Sequence, residues 1–72
     1  MLDSKAKKAI EDLVTSTGRQ VGKINEDKEA LNGIVRVSGN PENIDGLRRA
    51  ILKMAEAEEA LRAAESRLNN LL

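Results

Sequence analysis

The chain has no cysteine, no histidine and no aromatic residue, and it contains a single proline. Without cysteine there is no disulfide to stabilise a domain of 72 residues, which buries little surface by itself. Because histidine and cysteine are the usual nitrogen and sulfur ligands of zinc and iron, neither a structural metal nor a cofactor is expected. The core must therefore come from Ile, Leu, Val, Met and Ala.

The missing residue types also bear on catalysis. Histidine is the commonest general base and cysteine the strongest nucleophile. Neighbouring carboxylates such as Glu58 and Glu59 do not face one another on a helix, and a chain this short has no large pocket to raise their pKa. We expect no enzymatic activity.

Charge is balanced, with 12 basic and 12 acidic residues, so no strongly basic surface indicates a nucleic-acid partner. Lys5, Lys7 and Lys8 are candidate phosphate contacts, although a solvated basic helix start explains them more simply. No apolar run reaches the ~18 residues of a membrane span, and the N-terminus lacks the apolar core of a signal peptide. We expect a cytoplasmic or particle-associated protein that is not secreted by a signal peptide and has no membrane partner.

Residues 33–51 carry the clearest local signal. A β-branched run at Ile34, Val35 and Val37 is followed by Gly39 and then by residues 40–42, Asn-Pro-Glu. Asn accepts from free backbone N–H groups at a helix start, Pro has no N–H to leave unpaired, and a first-turn acid suits the helix dipole. This pattern predicts a strand at 34–38 and a helix at 41–71.

The N-terminal half is harder to interpret. The apolar spacing predicts a helix at 4–16 that is capped by Ser4, and the sequence TSTG at 15–18 is expected to end it, with Gly18 as C-terminal cap. Residues 19–25 then form a strand with a bulge at Gly22, and the polar residues 25–33 connect the two strands. The predicted fold is α+β, a small αββα core with a long C-terminal helix.

On this interpretation, a set of residues between 9 and 53 has the identities and spacing of a known family's motif. The set resembles the second half of a KH domain, a small α+β module that binds RNA. The resemblance implies the same two strands and an RNA ligand, although the first strand, the first helix and the family's G-x-x-G loop are missing, and Ser4 to Lys7 stand at the loop's place. The matching residues are Ile10, Leu13, Thr17, Gly18, Val21, Val35, Val37, Gly39, Pro41, Ile44, Leu47 and Ile51.

The C-terminal helix carries an uncharged seam with 3-4 spacing, as in a coiled coil. At ~1.5 Å per residue the helix is longer than a small core can cover, so we expect residues 1–53 to form the αββα core and residues 54–72 to be an extension for oligomerisation or partner docking. The expected partner is another copy or a helical protein. Glu58 and Arg62 have the favourable order for an i,i+4 ion pair. The predicted oligomerisation residues are Leu47, Ala50, Met54, Ala57, Leu61, Ala64, Leu68 and Leu71.

A second interpretation stays open, because a 4-3 repeat also runs from Ile10 through Val21 and Leu31 to Val35. It predicts one helix over 5–38 and an all-α, two-helix hairpin that forms an oligomeric bundle. Gly18, Gly22 and Gly33 argue against it, since each costs ~1 kcal/mol relative to Ala inside a helix.

The expected function follows from the long seam. It is a non-catalytic assembly or interaction protein, such as a small structural, virion-like, scaffold or chaperone subunit. The alternative is an RNA-binding module, either KH-like and reduced or a Rop-like helical hairpin.

Overall fold

A computed structural model describes residues 2–72 as two α-helices, α1 (Ser4–Val37) and α2 (Pro41–Asn69). Residues 38–40 connect them, so the two helices pack side by side in opposite directions. The resulting hairpin is a rod of 56 × 14 × 11 Å. Neither helix combines the length and the apolar character needed to cross a bilayer, for the residues described.

The predicted α+β fold is wrong. Residues 19–25 and 34–37, expected to be strands, are continuous α-helix, and residues 2–72 include no strand. The chain therefore cannot be the second half of a KH domain, and the αββα core expected at residues 1–53 does not form. The two-helix hairpin of the second interpretation is confirmed. The expected division after residue 53 falls inside α2.

The 4-3 repeat explains why α1 continues through its unfavourable residues. Val21, the most buried side chain described, is 8% exposed, and Ile24, Leu31 and Val35 on the same stripe are partly buried. Each such aliphatic side chain gains roughly 1–2 kcal/mol from burial, which exceeds the ~1 kcal/mol lost at each helical glycine. Two isolated short strands have no comparable source of stability.

Local contacts remove the expected stop at residues 15–18. The hydroxyls of Thr15 and Thr17 donate to the carbonyls of Glu11 and Leu13, at 3.2 and 2.8 Å, so they are satisfied within the helix. None of the chain's glycines has a positive φ, and Gly18 therefore is not the left-handed cap that was predicted.

The helix starts are fixed by side-chain caps. Asp3, and not Ser4 as predicted, caps α1, and its Oδ1 accepts from the Ala6 N–H at 2.7 Å. At α2 the predicted Asn40 cap is confirmed, since its Oδ1 accepts from the N–H groups of Glu42 and Asn43 at 3.0 and 3.4 Å. A cap of this kind contributes ~1 kcal/mol.

Candidate interaction surface

The inner side of α2 is a stripe that is partly shielded from solvent. Within residues 2–72, α1 is the only other helix, so this shielding comes from packing against α1. The stripe has 3-4 spacing, but it includes two glutamates. Its members are Ile44, Leu47, Ile51, Met54, Glu58, Leu61, Glu65 and Leu68.

The predicted oligomerisation set is divided by this packing. Its leucine and methionine members, Leu47, Met54, Leu61 and Leu68, belong to the inner stripe. Ala50, Ala57 and Ala64 each lie one position before an inner-stripe residue, and Leu71 continues their seven-residue spacing beyond the end of α2, so these members border the stripe on one side. Of these, Ala57, Ala64 and Leu71 are exposed and Ala50 is half-exposed. Their role in oligomerisation stays a prediction.

Helix α1 has a corresponding border. Leu13 and Ile34 directly precede the stripe residues Val14 and Val35, and they are 53% and 49% exposed. Val37, one turn beyond Ile34, is 85% exposed. Between Leu13 and Ile34 the same border carries Ser16, Gln20, Lys23 and Asp27, so its large apolar residues are grouped at its two ends.

The two borders lie on the same side of the hairpin. A groove of about 430 Å³ at the turn end is lined by Ile34 of α1 together with Asn43 and Gly46 of α2. Asn43 is seven residues before Ala50 and so heads the alanine row. Together the borders form one surface, which we call the apolar face. Its apolar members are Leu13, Ile34 and Val37 of α1, Ala50, Ala57 and Ala64 of α2, and Leu71 just beyond the end of α2; Lys23, Asp27, Lys53 and Arg67 lie at border positions between them.

An ion cluster bridges the helices near mid-length. Lys28 Nζ lies 3.2 Å from Glu58 Oε1, and Arg62 Nε lies 3.4 Å from Glu58 Oε2, which confirms the predicted Glu58–Arg62 pair. The side chains of Lys28 and Glu58 are only 20% and 16% exposed. The Lys28 ammonium, at hydrogen-bond distance, is the main cause of a lowered pKa of Glu58, and Arg62 adds to it against the opposing effect of desolvation.

Sequence reasoning missed the two glutamates of the inner stripe. The predicted seam contains Ala57 and Ala64 where the inner stripe contains Glu58 and Glu65, because uncharged residues were preferred. The available signal was Lys28, which occupies a seam position in the 4-3 repeat of α1 and requires an acidic partner there. Gly18 lies against the other glutamate, since a Cβ at Gly18 would be in van der Waals contact with Glu65 Oε2, at 3.4 Å.

The candidate phosphate contacts Lys5, Lys7 and Lys8 are exposed on the first turns of α1. Lys8 Nζ lies 3.5 Å from Asp12 Oδ1, so part of its charge is balanced locally. The remaining exposed ion pairs are also local, within one turn of one helix. They are Lys23–Asp27, Arg49–Asp45 and Lys53–Glu56. Phosphate binding by the three lysines stays a prediction.

Comparisons with protein-family models, curated proteins and solved structures give no match. Among residues 2–72 no group of three or more carboxylates is close enough together to hold a metal ion. The features available for inferring function are therefore the apolar face, the turn-end groove and the ion cluster.

Proposed function

We propose that this protein is a non-catalytic interaction module that docks on a helical protein surface through its apolar face. The observation that carries the proposal is the excess of exposed surface. The chain exposes 5545 Å², whereas a compact monomer of 7.8 kDa exposes about 4,400 Å². The difference is about 1,100 Å² per chain.

The shape supports the same proposal. The radius of gyration is 16.7 Å, against about 11 Å for a compact domain of this length. An elongated hairpin has a high ratio of surface to core, so further burial has to come from another molecule. The alanine row favours a helix as the partner surface, because small side chains allow two helices to approach closely.

The proposed absence of catalysis is supported by the groove, which is shallow and has Glu42 as its one titratable lining residue. An acid or base at work in catalysis needs an enclosed, desolvated setting that shifts its pKa. We do not propose RNA binding. The helical fold overturns the KH-like form of that alternative. The Rop-like hairpin agrees with the fold, but no basic patch supports RNA contact, and Lys8, Lys23, Arg49 and Lys53 each pair with an acidic side chain within one helical turn.

Site-specific photo-crosslinking in the cells that express the protein tests this function. A benzophenone amino acid at Ala57 lies on the apolar face, whereas the same group at Ser66, nine residues or about two and a half turns away, lies on the opposite side of α2. We expect protein adducts from position 57 and few from position 66. Equal yields from the two positions, or none from either, would contradict the proposal.

A further inference from the structure

We propose that the occupant of the apolar face is a second copy of this chain, and that the two hairpins form a two-fold symmetric four-helix bundle with their turns at opposite ends. This inference rests on the proposed function and names its partner. Four observations support it: the area of the face, the symmetry of its rows, the shape of its two ends and the charges at its centre.

The area of the face fits a dimer. The broad side of the rod that carries the face has an outline of 56 × 14 Å, or about 780 Å². A standard protein interface buries about 800 Å² per partner. A second hairpin of the same length covers this area without leaving an overhang, whereas a single partner helix, with a diameter of ~10 Å, leaves part of its width open.

The rows of the apolar face are arranged symmetrically along the rod. On α1, the point midway between Leu13 and Ile34 falls beside Lys23, and on α2, the point midway between Ala50 and Leu71 falls beside Ala60. These two midpoints are at the same level. Gly18 of α1 lies against Glu65 of α2. Because the helices run in opposite directions, Lys23, five residues after Gly18, is level with Ala60, five residues before Glu65. A two-fold axis that crosses both helices at this level therefore places Leu13 of one copy opposite Ile34 of the other, and Ala50 opposite Leu71, in the same arrangement.

The ends of the face are complementary to each other. The end with the chain termini presents two bulky side chains, Leu13 and Leu71, which are 53% and 58% exposed. The turn end presents the groove, and nothing lies within 4 Å of the position where a Cβ of Gly46 would stand. With the turns at opposite ends, the leucines of each copy enter the groove of the other. With the turns at the same end, groove faces groove and leucines face leucines.

The charges near the axis are also compatible with a second copy. Lys23 Nζ and Asp27 Oδ1 are 3.2 Å apart and lie within about one turn of the axis, so two copies bring together two cations and two anions. The matching level of α2 carries Ala57, Ala60 and Ala64, which permit a close approach of the two α2 helices. Formal net charge is zero, and the copies therefore have no overall repulsion.

The first test is sedimentation equilibrium of the purified chain between 1 µM and 1 mM, comparing Gly46→Leu with Gly22→Leu. Both glycines are inside helices with open space at their Cβ positions, but only Gly46 lines the groove. We expect a dimer whose dissociation constant rises at least tenfold in Gly46→Leu and changes little in Gly22→Leu. A monomer throughout the range, or an equal change in both variants, would overturn the inference.

The second test determines the orientation. Because the chain has no cysteine, introduced thiols are unique. We expect a short bis-maleimide to link Leu13→Cys to Ile34→Cys when the two single variants are mixed. Linkage of Leu13→Cys to Leu71→Cys instead would mean that the turns lie at the same end, and would refute the proposed arrangement. Leu52→Cys, an exposed position away from the apolar face, is the control for random collision.

These outcomes separate the inference from the function on which it rests. A chain that is monomeric when pure but still cross-links through position 57 to a different protein refutes the second copy and leaves the interaction module standing. A monomer that gives no adduct from position 57 refutes both.

Discussion

Replacing Gly22 and Gly33 by Ala tests the fold where the two sequence interpretations disagreed most. Both residues lie inside α1, and a Cβ built on either has no atom within 4 Å. Ala is favoured over Gly by about 0.8–1.0 kcal/mol in a helix interior, so the double variant should gain about 2 kcal/mol. The unfolding entropy of 72 residues is about 150 cal/mol/K, and the expected rise in melting temperature is therefore about 13 °C.

Thermal unfolding followed by circular dichroism at 222 nm measures this shift. All variants are compared at one protein concentration, because self-association makes the melting temperature depend on concentration. The matched control is Ala63→Gly, at an exposed position of α2 that both interpretations make helical. It should lower the melting temperature by about half as much as the double variant raises it.

The opposite result would refute the continuous helix. If Gly22 occupied a strand bulge and Gly33 a turn, the added methyl groups would meet backbone conformations that disfavour Ala, and the double variant would be neutral or less stable. That outcome, together with the expected loss in Ala63→Gly, would mean that α1 is interrupted.

Four further outcomes are expected. Val21→Ala should lower the free energy of unfolding by about 1.5–2 kcal/mol in urea titrations, because it removes the most buried side chain described. Asn40→Ala should cost about 1 kcal/mol in the same assay through loss of the α2 cap. The Lys28 ammonium lowers the pKa of Glu58 from its ordinary value, so the stabilising effect of the carboxylate is complete above the ordinary carboxyl pKa and is lost as the pH falls through the lowered one; Glu58→Gln should flatten this part of the acid stability profile. Leu61→Glu should reduce helicity, measured by circular dichroism, because it places a charge in the inner stripe. Ala57→Glu should keep the helicity and weaken association, measured by sedimentation.

The start of α2 was predictable because its determinants are local. Asn40, Pro41 and Glu42 are adjacent in the sequence, and each favours a helix start by itself. The course of α1 was not predictable in the same way. Its glycines and threonines disfavour a helix locally, and the compensation comes from α2, whose contacts are distant in sequence. A local reading of propensities therefore gives undue weight to Gly18 and to its neighbours.

The choice of stripe on α2 failed for a related reason. An uncharged seam is the natural prediction for a helix that packs in a fully enclosed core. A pair of helices is open to solvent along both edges, so a seam position is only partly enclosed and a glutamate there can be balanced by a cation of the facing helix. Lys28 makes this favourable at Glu58, and Glu65 lies against the small residue Gly18.

The two sides of the hairpin consequently differ, and this difference limits how far association can proceed. At about 100° per residue, Arg62 lies about 140° around α2 from Ala57, so the Lys28–Glu58–Arg62 cluster opens towards the side away from the apolar face. Covering that side would desolvate the exposed Arg62 guanidinium beside an already shielded Lys28–Glu58 pair, whereas covering the apolar face buries alanine, leucine, isoleucine and valine side chains together with the locally paired Lys23 and Asp27. Hairpins with two apolar sides would stack without limit. A hairpin with one largely apolar side and an ion cluster on the other closes after a single partner, and for this reason we favour a discrete dimer over an open assembly.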